Sequence, residues 1–206
     1  GMKRRPLSDG ERRDWLRLSQ SENVGPITFH SLLKRYGEAG KVIAALPDLS
    51  RKGGMSRPLR LHGVDAAERD IDRAAAIGAR FVAFCEPDYP ALLRTIDSAP
   101  PLVCIKGHAA LGNRTGVGIV GARNASAAGR KFARQLASEF GAAGHAVVSG
   151  LARGIDTAAH EATLDSGTVA VLAGGLDNIY PPENEALHRA IGERGLLVSE
   201  MVPGTV

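Results

Sequence analysis

The chain has 206 residues, 44% hydrophobic and 23% charged, an ordinary globular composition with enough chain for a buried core. Its formal net charge of +4 suits a polyanion partner. No apolar run approaches the ~20 residues of a membrane-spanning helix and no signal-peptide pattern is present, so a membrane role is excluded and a cytoplasmic location is expected.

The first third reads as helical. In "DGERRDWLRLSQ", Trp15, Leu16 and Leu18 alternate with polar residues, and Asp9 is the expected cap. "GPITFHSLLKRYG" places Ile27, Phe29, Leu32, Leu33 and Tyr36 at near-helical spacing, with Gly37 as a stop. "GKVIAALPDLSRKGG" and "VDAAERDIDRAAAIG" add two short helices, separated by a loop at "RKGGMSRP". A small helical domain is therefore expected over residues 1–76.

From residue 77 the pattern changes. The apolar runs "RFVAF", "LVCIKG", "GVGIVG", "HAVVSG", "VAVLAGG" and "LLVSE" now alternate with helical stretches. Near-continuous apolar strands separated by amphipathic helices imply an α/β domain over 77–206, with a mainly parallel sheet and helices on both faces. Cys85 and Cys104 lie far apart in apolar runs, which fits buried free thiols rather than a disulfide or metal site. The six histidines lack metal-ligand spacing, and no metal is expected.

Three successive strands run directly into glycine-bearing loops, "VGARNAS", "SGLARGID" and "AGGLDNIYPPEN". In an open α/β sheet such loops gather at the carboxyl edge, where ligands bind. "GVGIVG" matches the dinucleotide text GxGxxG, but its glycines lie within the strand instead of opening the helix. No Walker A sequence is present, so a nicotinamide enzyme or P-loop kinase is disfavoured.

The loops contain the candidate contacts. Gly121 allows a sharp turn and Arg123 projects from it, to a phosphate or to a nearby carboxylate. Ser126 either caps the next helix or donates to a phosphate. Ser149, Gly150 and Gly154 suggest outward-pointing N–H groups at a helix N-terminus, an anion site to which Arg153 adds charge. Asp156 suits the positive end of the helix and is read chiefly as a cap. His160 reads as a packed, hydrogen-bonded histidine. Gly174 and Gly175 precede Asp177, Asn178 and Tyr180, and Tyr180 is either a base-stacking platform or a core aromatic. No catalytic constellation emerges from these residues.

In order, "GARNAS", "VSGLARGIDTAAH", "GGLDNIYPPEN" and "SEMVPGT" resemble the DprA/Smf family of DNA-processing proteins, over about residues 80–206. The resemblance implies a Rossmann-like core that binds single-stranded DNA without strong sequence preference, loads the recombinase RecA, acts as a homodimer and uses no cofactor. The family's phosphate-binding arginine falls on Arg123, within Gly121-Ala122-Arg123 where the family usually has GSR. Its glycine-rich loops fall on Gly150–Asp156 and Gly174–Tyr180. Pro182 stands where many members have a basic residue, a contact that Arg153 is placed to supply.

The helical third is similar to the helix-hairpin-helix or sterile-alpha-motif modules of the family, with Gly25 at the hairpin of "ENVGPITFHSLLKRYG". The family continues beyond "VPGT" with further strands, so the domain is expected to be shortened at its C-terminus. The competing expectation is a nucleoside monophosphate phosphoribohydrolase-like enzyme. The loop "AGGLDNIY" lacks the threonine and glutamate that such an enzyme carries there.

Overall fold

The structure, a computed structural model, describes residues 3–54 and 59–206. Four helices come first: α1 (Asp9–Ser19), α2 (Pro26–Tyr36), α3 (Ala39–Lys52) and α4 (Val64–Ala76). Ser8, not Asp9, caps α1: its hydroxyl accepts from the Glu11 N–H while the Glu11 carboxylate accepts from the Ser8 N–H. This reciprocal box satisfies two otherwise free donors. Gly37 ends α2 at φ 83°, as its position in the sequence predicts. Helix α3 runs through Pro47. Of the expected loop at 51–58, residues 55–58 lie outside the described residues, and 51–52 belong to α3.

The second part is one six-stranded sheet: β1 (Arg80–Ala83), β2 (Leu102–Gly107), β3 (Gly116–Gly118), β4 (Ala146–Ser149), β5 (Thr168–Leu172) and β6 (Leu196–Ser199). The order is β1-β2-β6-β5-β4-β3. Strands β3 to β6 are mutually parallel, and β2 alone is reversed, antiparallel to both neighbours. Helices α5 (Ala127–Ala142), α6 (Ile155–Ala162) and α7 (Glu185–Arg194) connect the parallel strands.

The helices are distributed unequally, which corrects the expectation of helices on both faces. Because β3 to β6 are adjacent in chain order, each right-handed crossover returns on the same side. Ala137 of α5, Ala159 of α6 and Ile191 of α7 accordingly pack on the face that presents Val147, Ala170 and Leu197. The opposite face is covered by Tyr89 and by two 3-10 turns, Ala91–Thr95 and Ala109–Asn113, over Val103, Ile105, Val169 and Val198. Toward the carboxyl end of β5 this cover thins, and Val171 is 44% exposed. No helix among the described residues is long and apolar enough to cross a membrane. Cys85 and Cys104 are free and buried, and burial pushes the Cys104 thiol up to about 12.

The helical part is braced against the sheet. Its core residues Trp15, Phe29 and Val42 share one apolar cluster with Phe81, Cys104 and Leu197. Ring contacts run from Trp15 to Phe29 (5.0 Å), His30 (5.6 Å), Phe84 (4.8 Å) and Tyr89 (5.4 Å). Glu86 adds a polar clamp. Its buried carboxylate accepts from Arg12 Nε (3.2 Å) and Nη2 (2.8 Å), from the Leu7 N–H (3.1 Å) and from the Ala83 N–H (3.0 Å). Burial opposes its ionisation, but Arg12 and the two N–H groups outweigh that and hold the carboxyl below its ordinary value.

Glu86→Ala would leave Arg12 and two N–H groups without their acceptor. A loss of about 3 kcal/mol is expected in urea unfolding. The exposed Arg13–Glu68 pair (3.3 Å) provides the contrast: Glu68→Ala is expected to cost less than about 1 kcal/mol.

Candidate nucleic-acid interface

The loops after β3, β4 and β5 lie side by side at the carboxyl edge and are fastened to one another. Gly154 adopts φ 80°, and a Cβ there would lie 2.2 Å from the Ala122 carbonyl oxygen and 2.7 Å from that of Arg123. At Gly121 a Cβ would meet Ile155 Cγ1 at 2.6 Å. Glycine at both positions lets the first loop seat on the start of α6, and the Ile155 N–H donates to the Ala122 carbonyl at 3.3 Å. Asn184 joins the second loop to the third, donating through Nδ2 to the Leu151 carbonyl (3.0 Å) and to Thr157 Oγ1 (2.9 Å).

The second loop departs from the expected anion cradle. The N–H groups of Gly150, Leu151 and Ala152 point inward. The Asp156 carboxylate accepts from the N–H groups of Gly150 (3.2 Å) and Ala152 (3.3 Å), and His160 Nε2 accepts from the Leu151 N–H (3.3 Å). Asp156 therefore ties down the preceding loop and is buried. Ser149 is also turned inward, donating to the Ile119 carbonyl at 2.6 Å. The Gly150 N–H, the Ser149 hydroxyl and the Asp156 carboxylate thus each have a hydrogen-bond partner within the fold.

His160 is fully buried, as the packed reading anticipates. Since Nε2 accepts, Nδ1 carries the proton and donates to Thr168 Oγ1 at 2.7 Å. Desolvation lowers its pKa to about 4. Leu151, between these anchors, has φ 60°, a left-handed conformation unusual for a non-glycine residue. Its N–H and its carbonyl are each held by a buried side chain, His160 and Asn184.

The outward groups are different ones. Arg123 sits on the exposed turn before α5, and its side chain forms no hydrogen bond or ion pair among the described residues. The carboxylate-pairing alternative for Arg123 is therefore not realised. Ser126 caps α5, accepting from the Gly129 N–H at 3.0 Å. Tyr180 is 60% exposed and is not a core aromatic. The Arg153 guanidinium lies 5.6 Å from the centre of its ring and donates through Nε to Glu183 Oε1 at 2.9 Å. This pairing raises the Arg153 pKa and lowers that of Glu183.

The third loop is held by the end of β6 and the segment after it. The Gly175 N–H donates to the Thr205 carbonyl (2.9 Å), the Gly204 N–H to Asp177 Oδ1 (2.9 Å), and Ser199 Oγ to the Gly174 carbonyl (2.7 Å). Asn178 is half-buried, its amide packed against Gly174. Of the predicted set, Gly121, Arg123, Ser126, Arg153 and Tyr180 are exposed, and Gly154 is half-buried. Sequence reasoning passed over Glu183 and Asn184; both stand in the quoted "YPPEN", where an acid and an amide follow an exposed tyrosine. The described residues contain no cluster of three potential metal ligands.

Two outcomes follow. Gly154→Ala is expected to cost about 2 kcal/mol or more in urea unfolding, since both the φ and the carbonyl contacts exclude a methyl. His160 titrates near 6.5 when unfolded and near 4 when folded, so the unfolded chain binds more protons between those values. Its contribution is complete above about pH 6.5 and falls by about 3 kcal/mol as the pH approaches 4. His160→Gln is expected to flatten the stability–pH slope over that interval; an unchanged slope contradicts the buried neutral imidazole.

Comparison with known proteins places this architecture. Residues 80–206 match the family model described as DNA recombination-mediator protein A, and residues 9–73 match the DprA-like N-terminal HHH domain. Protein Smf of Synechocystis is 34% identical over 97% of this chain and 53% of its own length. The DNA processing protein DprA of Streptococcus pneumoniae is 43% identical over 56% of this chain and 42% of its own. The chain thus spans about half the length of the curated relatives it matches. The crystal structure of the Streptococcus pneumoniae protein superposes with TM-score 0.71 at 28% identity, covering 98% of this chain and 70% of that one. DNA processing protein A of Helicobacter pylori, described structurally for its single-stranded DNA binding mode, superposes with TM-score 0.57 at 26% identity over 62% of this chain and 58% of its own. With its helical part and its α/β part each matched by a family model, the chain belongs to the DprA/Smf family of DNA recombination-mediator proteins.

Proposed function

We propose that the carboxyl edge of the sheet binds single-stranded DNA by its phosphate backbone. We take residues 77–206 as the binding unit and residues 1–76 as a helical unit braced against it. The observation that carries this reading is Arg123. It is exposed and has no partner among the described residues, on a loop held by the tight contact at Gly154. Its planar fork suits phosphate oxygens. Tyr180, 60% exposed on the neighbouring loop, offers a ring on which a base stacks regardless of its identity.

The edge is open, and an open row of loops suits a polymer better than a mononucleotide. A role as a recombination mediator, not as an enzyme, is the reading that family membership supports. Action on DNA in transformation, loading of RecA, a homodimeric state and a cytoplasmic location extend this reading and rest on family membership.

Fluorescence anisotropy with labelled oligo-thymidylate and a matched duplex, across a salt series, tests it. The single strand is expected to bind more tightly, with affinity falling as salt rises. Arg123→Ala is expected to weaken binding by about tenfold and to reduce the slope of log K against log salt by about 0.7. Equal binding of duplex and single strand, or an unchanged Arg123→Ala, contradicts the assignment.

A further inference from the structure

Arg153 and Arg123 stand on touching loops but are in different states. Arg123 has no partner among the described residues, whereas Arg153 is occupied. Its Nε and Nη2 both reach the same oxygen, Glu183 Oε1, each at 2.9 Å. The guanidinium fork is therefore not matched to two oxygens, as it is in its strongest pairings. The side chains are 43% and 57% exposed, which makes the pair weak and replaceable. The same guanidinium lies over the Tyr180 ring, 5.6 Å from its centre, and covers one face of it.

Resting on the DNA-binding reading above, we propose that Glu183 is a built-in stand-in for a DNA phosphate. In the free protein its carboxylate parks Arg153 over Tyr180. A phosphodiester offers the fork two oxygens, so the incoming strand displaces Glu183, takes Arg153 and uncovers the Tyr180 ring for a base. Glu183 thereby subtracts from affinity at a position where the edge carries an acid directly on a phosphate-seeking group. The consequence is selective: a ligand that supplies a phosphate and a base together exchanges both contacts, whereas one that supplies neither leaves the pair closed.

The test is a comparison of Glu183→Gln with wild type in oligo-thymidylate binding at fixed salt. Removal of any nearby acid raises affinity for a polyanion, so Glu185→Gln is the control. Glu185 is two residues away and exposed, paired to Arg189 at 3.2 Å, and its loss changes net charge equally. Glu183→Gln is expected to bind about two- to fivefold more tightly than Glu185→Gln, the worth of one exposed ion pair. In an Arg153→Ala background the two glutamine variants should bind alike, because nothing remains to be released.

The proposal is overturned if Glu183→Gln binds no more tightly than Glu185→Gln, or if its gain survives Arg153→Ala. Should Arg123→Ala weaken binding while Glu183→Gln gives no gain, the DNA-binding reading stands and the masking alone fails. If neither wild type nor Glu183→Gln binds the strand, both fall together.

Discussion

The site depends on a contact in which only a hydrogen atom fits. The Gly154 backbone lies against the carbonyls of Ala122 and Arg123, too close for any β-carbon. That approach seats the loop after β3 on the first turn of α6, and it fixes where Arg123 emerges. Around it, buried side chains fill the space that ligand groups were expected to occupy. Asp156 and His160 bind the N–H groups of residues 150 to 152, and Asn184 ties Leu151 to the next loop. The polar groups inside this edge work as scaffold, and the side chains of Arg123, Arg153 and Tyr180 on its rim stay exposed.

The division between scaffold and rim was only partly legible in the sequence. Strand, loop and helix were readable because the apolar runs are short, end in glycine and are followed by amphipathic stretches. Arg123 was readable because an arginine among small residues at a strand end has few internal uses. The inward turn of Ser149 and Asp156 was not, since a serine or aspartate at a helix start looks the same whether it faces a ligand or a backbone amide. Glu183 was missed for another reason. Its pairing with Arg153 spans 30 residues, and only the folded edge brings the two together.

The helical third shows a similar limit. Its helices were legible from their spacing, but their attachment was not. Rings from Trp15 to Tyr89 and the Glu86 carboxylate join elements that are remote along the chain. Burial of Glu86 is tolerated because four donors converge on one carboxylate. The result is one continuous apolar cluster from the helices to the sheet, so displacing the helical part would open a shared core.

The order of the parallel strands has one more consequence. Because β3, β4, β5 and β6 are neighbours in the order of the chain, the loops at their ends form a row with a beginning and an end. Adjacent strands are spaced at about 4.8 Å, so four strand ends span a length comparable to a few nucleotides. The exposed Arg123 stands at one side of that row, and the Arg153–Tyr180–Glu183 group farther along it. Such a row is a vector. A polymer with chemically distinct ends, laid along it, meets unlike groups in its two orientations, and its 5′-to-3′ polarity ceases to be interchangeable.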